Sequence, residues 1–276
     1  MGHCRLCMNE TDLSMSHIVP KMFYDYIKSN SLTGGMRMTI TPNRRVEDGL
    51  KLRFLCKECE KTFNEFETYF ANKFYYPFTN DSHAVIESDD DKLRYFILSM
   101  AWRCLQYDFE FDKEMLEDFT DNEIIILRNT LNQWRIWLLN KDFNSIKEVT
   151  SYMIPTLGIS MPSYTSDRMA GHDFKIWDVG GKKETFDYAV VYVRVPFFIF
   201  LTVVWGSRKT MGKYRVGRKI RSGAGDISKE LRFIIEAHQK NFLVSKEKIS
   251  EKQAPRYATH ALQNNFVNYA KKEDAV

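Results

Sequence analysis

Two Cys-x-x-Cys pairs constrain the fold of this chain more than any other feature of its sequence. They are Cys4-Arg5-Leu6-Cys7 near the N-terminus and Cys56-Lys57-Glu58-Cys59, and a long segment separates Cys7 from Cys56. Thiolates in two such pairs are typical ligands of structural zinc, which they hold in a closed tetrahedron. The pairs therefore predict that the N-terminus folds back onto residues 56–59 around a zinc ion. Four unrelated free cysteines are the alternative interpretation.

The composition describes a globular protein that can bury a real core. Of 276 residues, 44% are hydrophobic and 14% are aromatic, and the formal net charge is +4. A mildly basic balance permits a nucleic-acid partner without requiring one. The longest apolar run, Val195–Trp205, is too short to span a bilayer, so we expect no membrane association.

Cysteine usage indicates the compartment. Cys104, the fifth of five cysteines, lies in a largely apolar run and is expected to be a buried thiol. An odd number of cysteines, with four in pairs and no signal peptide, favours a reduced compartment over a disulfide scaffold. We therefore expect a cytoplasmic protein.

The first of three predicted regions, residues 1–78, surrounds the zinc site. Gly34-Gly35 and Glu47-Asp48-Gly49 supply its turns. Its predicted elements are a helix over Lys21–Ser29, strands over Met36–Thr41 and Leu50–Leu55, and a helix over Lys57–Tyr75 that ends before Pro77.

The remainder of the chain changes character twice. Residues 79–150 are predicted to be helical, with two to four segments between Lys92 and Lys141. Residues 151–276 are predicted to form a mixed antiparallel α/β region that binds a substrate or a partner. Its predicted elements are strands over Phe174–Val179, Phe186–Val195 and Phe197–Trp205, and a helix over Ile227–Phe242. The expected fold class is α+β.

A histidine motif, His17-Ile18-Val19-Pro20, lies between the two cysteine pairs, and Glu60 directly follows Cys59. In order and spacing these pieces resemble the HNH endonucleases of the zinc-binding ββα-metal (treble-clef) type, over approximately residues 1–75. The resemblance implies a metal-dependent endonuclease that hydrolyses phosphodiester bonds in nucleic acid, with DNA ahead of RNA. It also implies a role in microbial defence or in a mobile element.

The resemblance assigns roles to particular residues. It makes His17 the general base that activates water, and it makes Glu60 a ligand of a catalytic Mg²⁺ or Mn²⁺ ion. Asn64 and Glu67 lie on the same face of the predicted helix and are candidates to complete that metal site. Ser16 stands where the family commonly has a metal-binding Asp. The alternative is that His17 is structural and that the three helical residues form a solvated face.

Two further features depart from a minimal HNH hairpin. The middle asparagine of the family has Asn43 as its only nearby candidate. The spacer between His17 and Cys56 is long, and the helical stretch Lys21–Ser29 is the candidate insertion.

Basic residues give two candidate nucleic-acid-binding groups. Either group could instead form solvated loops and strand edges, which charges protect from aggregation. The candidates are Arg44, Arg45 and Arg53 near the proposed active site, and Arg208, Lys209, Lys213, Arg215, Arg218 and Lys219 in a glycine-containing segment. Nucleic acid is the expected partner, and a protein partner or a homo-oligomer is a further expectation.

Two other functions stay open at the level of sequence. One is a catalytically inactive treble-clef module that binds nucleic acid or protein, which Ser16 favours because a hydroxyl is a weaker ligand for a hard cation. The other is a toxin-type subunit whose activity requires a partner protein.

Overall fold

Two short antiparallel strands, β1 (Gly2–His3) and β2 (Glu10–Thr11), flank the first cysteine pair. Helices and antiparallel sheets follow, which confirms the predicted α+β class. This computed structural model describes residues 1–31, 35–80, 85–117, 119–156, 169–177, 188–206, 212–221 and 229–250.

An antiparallel ribbon of β3 (Leu13–His17) and β6 (Lys51–Cys56) connects the cysteine pairs. The segment between these strands contains α1 (Lys21–Ser29), with the predicted bounds, and a second ribbon of β4 (Met36–Met38) and β5 (Thr41–Val46). The predicted strand over residues 36–41 is thus wrong in extent, because the chain turns at residues 39–40. Strand β5 has a polar sequence without alternation, so no pattern predicted it.

A long helical stretch follows Cys56 and supplies the other wall of the N-terminal region. It consists of α2 (Lys57–Phe70), a π-helical turn (Ala71–Tyr75) and α3 (Tyr76–Asn80). The prediction that the helix ends before Pro77 is wrong. The π-helical turn changes the hydrogen-bonding pattern, so that Pro77 falls in the first turn of α3, where a helix needs no N–H donor.

Within its described part, the middle of the chain contains four helices, in agreement with the predicted helical segment. They are α4 (Asp91–Phe111), α5 (Lys113–Glu117), α6 (Asp121–Asn140) and α7 (Phe143–Glu148). Asp90 caps α4 through Leu93 N–H, and Thr120 with Glu123 forms a capping box at α6. Both starts therefore have the chemistry that a helix N-terminus requires.

The C-terminal region contains the strands β8 (Ser151–Pro155), β9 (Gly171–Trp177), β10 (Tyr188–Val195) and β11 (Phe198–Trp205). They form a four-stranded antiparallel sheet in the order β8-β11-β10-β9. The predicted meander of three strands is confirmed in its order, although β9 begins three residues before the predicted start, and the predicted strand residues 178–179 and 186–187 lie outside the described residues. Strand β8 was not predicted. A further antiparallel pair is β7 (Ile86–Glu87) with β12 (Lys219–Ile220), and the last described helix is α8 (Lys229–Glu247).

One hydrophobic core extends through all three predicted regions. The Phe70 ring of α2 stacks on Phe96 of α4, with 4.1 Å between centroids, and its centroid lies 5.9 Å from that of the Phe200 ring of the sheet. Cys104 is fully buried in this core, as predicted. Within the described residues, no helix is both long and apolar enough to cross a membrane. Helix α4 thus links the N-terminal region, which contains the two cysteine pairs, to the sheet.

Candidate functional site

The structure brings the two cysteine pairs together. The Sγ atoms of Cys4, Cys7, Cys56 and Cys59 all lie within 4.8 Å of one another, and Cys7 Sγ is 3.8 Å from Cys56 Sγ. Tetrahedral zinc with Zn–S bonds of about 2.3 Å places its sulfur ligands about 3.8 Å apart. The four cysteines are therefore placed to hold a metal ion, in a geometry consistent with structural zinc.

Local backbone contacts shape the first pair into a tight turn. Cys4 N–H donates to Asn9 O at 3.0 Å, Met8 N–H donates to Cys4 O at 2.8 Å, and Met8 has a φ of 65°. Cys56 N–H donates to Cys4 Sγ at 3.3 Å. A hydrogen bond with the Cys59 thiol is the largest cause that lowers the pKa of Cys4, to about 4. The same hydrogen bond raises the pKa of Cys59, and burial raises the pKa of Cys7, so one thiolate is favoured at the expense of its neighbours. A bound metal ion would favour the deprotonated form of all four thiols.

Two arginines connect this turn to the helical segment. Arg5 forms a forked ion pair with Glu110 of α4, with its closest contact at 3.0 Å. Arg135 of α6 donates from Nη1 to Leu6 O at 2.9 Å. The candidate zinc site is therefore attached to helices that lie beyond the first predicted region.

The residue before the histidine is in direct contact with Glu60. Ser16 is fully buried, and its hydroxyl donates to Glu60 Oε2 at 2.6 Å while it accepts from Leu55 N–H at 3.3 Å. Glu60 lies in the first turn of α2, one residue beyond Cys59, so the cysteine site fixes where its side chain meets β3. The contact places the Glu60 carboxylate next to Ser16, the residue that precedes His17 on β3.

The His17 ring has an acidic partner that the sequence did not identify. His17 Nε2 lies 2.9 Å from Asp48 Oδ1, and the His17 side chain is 15% exposed. Asp48 also accepts from Gly49 N–H and from Lys51 Nζ, each at 2.9 Å. Burial alone would raise the pKa of Asp48, but the hydrogen bonds from Lys51 and His17 hold it well below its usual range. An ionised carboxylate can only accept, so His17 Nε2 carries the proton of this bond.

The loop that carries Asp48 lies against the histidine because Ile18 N–H donates to Leu50 O at 3.0 Å. In the sequence, Asp48 is marked only by the Asp-Gly pair before β6, which indicates a turn rather than a functional site.

Asn43, the candidate for the middle asparagine of the HNH pattern, contacts a different part of the molecule. It accepts from Ser250 N–H at 2.8 Å and donates to Lys248 O at 2.9 Å, just beyond α8.

The other two candidate metal ligands on α2 differ in their surroundings. Glu67 Oε1 accepts from the buried Arg103 of α4 at 2.7 Å, so this carboxylate already has a cationic partner. Asn64 is exposed on α2, one turn beyond Glu60. Of the three oxygen-bearing side chains, the structure thus brings Glu60 to β3, pairs Glu67 with α4 and leaves Asn64 open to solvent.

The basic candidates near the histidine lie on the two ribbons. Arg44 is exposed on β5, Arg45 pairs with Glu47 at 3.1 Å, and Arg53 donates to Leu13 O at 3.3 Å. Lys51 lies directly across the β3–β6 ribbon from His17, and Arg53 lies across from Met15. Residues opposite each other share a face of a ribbon, so Lys51 and Arg53 are on the face of His17.

The second basic group has a different environment. Arg215 forms a bridge to Tyr152 at the outer edge of β8, and Lys219 on β12 pairs with Glu87 at 2.9 Å. Lys213 belongs to a short helical turn, Gly212–Tyr214, and Arg218 directly precedes β12. Arg208 and Lys209 lie outside the described residues.

Comparison of this chain with protein-family models, with curated proteins and with solved structures finds no match. Its function must therefore be inferred from the contacts of the site itself. These contacts define a cysteine cluster placed to hold a metal ion, with a histidine–aspartate pair and a serine–glutamate pair on the adjoining strand and helix.

Proposed function

We propose that this chain is a metal-dependent nuclease that hydrolyses phosphodiester bonds in nucleic acid, with zinc at the cysteine cluster as a structural ion. The observation that supports this function best is the 2.6 Å contact between Ser16 and Glu60 beside His17. It joins the two elements that carry the proposed base and the proposed metal ligand.

His17 is the general base of the proposed reaction. Asp48 accepts the Nε2 proton and so selects the tautomer whose Nδ1 bears a lone pair. Nδ1 takes a proton from water as the water oxygen forms its bond to phosphorus. The bond from phosphorus to the leaving oxygen breaks, and solvent reprotonates that oxygen.

Glu60 is the proposed anchor of the catalytic divalent ion. Its Oε2 accepts from Ser16, which orients the carboxylate and leaves Oε1 for a cation. Mg²⁺ in phosphate chemistry is commonly held by one or two carboxylates together with substrate phosphate and water. Glu60, with the exposed Asn64 one turn away, is a donor set of that kind. When bound, such an ion neutralises the phosphate and the leaving oxygen.

The serine at position 16 does not remove negative charge from the proposed site. Ser16 and Glu60 are in contact, so a carboxylate on the helix lies next to the position where the HNH pattern has one on the strand. We infer an exchange of roles, in which Glu60 supplies the oxygen ligand and Ser16 orients it. This exchange accounts for the serine at the position where the HNH pattern commonly has a metal-binding Asp.

The proposed substrate is nucleic acid, with DNA ahead of RNA. Lys51 and Arg53 on the His17 face of the ribbon, with the exposed Arg44, would contact its phosphates. A cytoplasmic location, which the cysteine usage favours, and a role in microbial defence or a mobile element, which rests on the resemblance alone, belong to the same proposal.

Plasmid nicking in Mg²⁺ or Mn²⁺ tests this function. Wild-type protein should nick the plasmid, and His17→Ala and Glu60→Gln should abolish most of the activity. Glu65→Gln is the matched control, because Glu65 is an exposed carboxylate on the same helix. Nicking that survives His17→Ala, or an absence of cleavage of both DNA and RNA in either metal, contradicts the proposal.

A second candidate function is a treble-clef module that binds nucleic acid without cleaving it. One observation favours it. His17 is hydrogen-bonded to Asp48 and Glu60 is hydrogen-bonded to Ser16, as expected of side chains whose role is only to stabilise the fold. Such a module would bind labelled DNA or RNA in a fluorescence anisotropy assay with no cleavage. His17→Ala would then leave its affinity unchanged.

A further inference from the structure

A buried arginine from the helical segment lies between the two elements of the proposed nuclease site. Arg103, on α4, is only 1% exposed. It lies 86 positions after His17 and outside the part of the chain that resembles HNH endonucleases. A fully buried guanidinium is rare unless its charge and its N–H groups are satisfied.

Each arm of this guanidinium contacts a different element. Nη1 donates to His17 O on β3 at 2.9 Å, and Nη2 donates to Glu67 Oε1 on α2 at 2.7 Å. Nε faces Ser99 O at 3.4 Å within α4 itself. The guanidinium carbon lies 5.3 Å from the centroid of Phe63, which is one turn before Glu67 on α2. Arg103 therefore holds the end of β3 and the middle of α2 with one rigid group.

The relative position of these two elements is what the proposed chemistry requires. His17 and Ser16 are the last residues of β3, and Glu60 is on α2. A shift of β3 along α2 would change the position of His17 relative to Glu60, and a displacement of about 1 Å can cost about 10²-fold in rate. The planar fork of arginine fixes two partners at once, which the single ammonium of lysine does not.

We propose that Arg103 is the positioning residue of the nuclease site, which it completes from outside the zinc-binding region. This inference rests on the proposed function, in that it names the group that sets the His17 backbone relative to Glu60. Arg103 touches neither substrate nor metal in this role and acts through the carbonyl of His17. The active unit is therefore the N-terminal region together with α4.

The first test compares the kinetics of Arg103→Lys with those of wild-type protein. The variant keeps the charge, so we expect kcat for cleavage to fall about 10²-fold with KM within about twofold. Arg94→Lys is the matched control, because Arg94 is also largely buried on α4 and pairs with Asp89 and Asp91. It should leave kcat unchanged. Equal effects of the two substitutions would overturn the proposal.

A second readout does not depend on cleavage. The chain has six histidines, so the His17 ring signal can be assigned in NMR spectra by its absence from His17→Ala. Arg103→Lys should shift this signal, and Arg94→Lys should not. If wild-type protein cleaves nothing but the ring signal moves, the nuclease function fails while the positioning role stands. An unchanged chemical shift of the His17 ring in folded Arg103→Lys would contradict the positioning role.

Glu67→Gln keeps the inference testable if Arg103→Lys does not fold. Glu67 is 19% exposed, and glutamine retains an oxygen that can accept from Nη2. A neutral acceptor is weaker than a charged one, so kcat should fall about tenfold, less than in Arg103→Lys. Unchanged kcat and an unchanged ring signal in this variant would also count against the proposal.

Discussion

Ser16 and Glu60 are 44 positions apart in the chain, yet the Ser16 hydroxyl lies 2.6 Å from Glu60 Oε2. The strand β3 and the helix α2 thus meet through a buried polar contact at the point where each has a candidate functional residue. The cysteine cluster provides the constraint behind this contact, because Glu60 directly follows Cys59. Changes to this contact, to its neighbours and to the metal should each have a measurable effect.

Ser16→Ala should weaken the response of cleavage to divalent metal. The substitution removes the hydroxyl that orients Glu60, and groups that orient a metal ligand typically contribute about 10–100-fold in affinity or activity. A titration of nicking rate against Mn²⁺ concentration measures the effect. Ser14→Ala, two residues earlier on the same strand, is the control and should behave as wild type. An identical metal response in Ser16→Ala would mean that Glu60 needs no orienting partner.

Asp48→Asn should reduce the rate of cleavage, but by less than His17→Ala does. Loss of a general base typically costs about 10²–10⁴-fold, and the carboxylate only orients the ring. Asparagine keeps the size of the side chain but can present its N–H₂ group to Nε2, which permits the wrong tautomer. Single-turnover rates of both variants and of the double variant measure the coupling. Fully additive losses would show that the two residues act independently.

Acid should remove a stabilising contribution of Asp48. Its pKa is lowered in the folded protein, so the contribution is fully present above the unfolded pKa of about 3.9 and is lost as pH falls toward the folded value. Denaturant unfolding of wild type and Asp48→Asn at about pH 7 and at about pH 3 measures it. The difference in unfolding free energy should shrink at the lower pH. A constant difference would contradict the lowered pKa.

A histidine on β9 should have the opposite pH dependence. His172 Nε2 lies 2.9 Å from Asp108 Oδ1. Burial alone would lower the pKa of His172, but the neighbouring Cys104 sulfur and the Asp108 carboxylate raise it well above its usual value. Its stabilising contribution is therefore fully present below about pH 6.5 and is lost as pH rises through the folded pKa.

The measurement compares wild type with His172→Gln in urea at about pH 6 and about pH 9. The advantage of the wild-type protein in unfolding free energy should be larger at the lower pH. An advantage that grows toward pH 9 would show that the ring is neutral in the folded protein.

The purified protein should contain about one zinc ion per chain, and its removal should unfold the N-terminal region, because metal-binding energy is folding energy in such sites. Elemental analysis of wild type and Cys56→Ser measures the stoichiometry, and near-UV circular dichroism measures the loss of tertiary packing. Cys104→Ser is the control, since Cys104 is buried in the core away from the cluster. A stably folded, metal-free wild-type protein would falsify the zinc assignment.

The sequence predicted those features that local spacing encodes. The paired cysteines, helix α1 and the strands of the meander each have a short-range pattern, namely a fixed spacing, helical periodicity or a β-branched run. The prediction failed at Pro77 because the π-helical turn before it leaves no short-range pattern in the sequence. That turn places Pro77 in the first turn of α3.

The partners within the candidate site were beyond prediction for a different reason. Asp48 lies 31 positions from His17, and Arg103 lies 36 positions from Glu67. Neither spacing corresponds to a helical turn or a ribbon pair, so only the packed fold brings these residues together. Arg103 is also an arginine within an apolar helix, where a sequence pattern indicates core and gives no partner for the charge.

The fork of Arg103 has a consequence for the order of protein synthesis. The cysteine cluster can close once Cys59 has emerged from the ribosome, but His17 and Glu67 gain their common partner only after residue 103 has followed. A nascent chain that ends before α4 would therefore have a complete set of four cysteines but would lack the contact that holds the His17 backbone. We expect the proposed activity to be absent from incomplete chains that lack α4 and to arise only when α4 packs against β3 and α2. A cell that synthesises this protein would then be protected from cleavage by its own nascent chains.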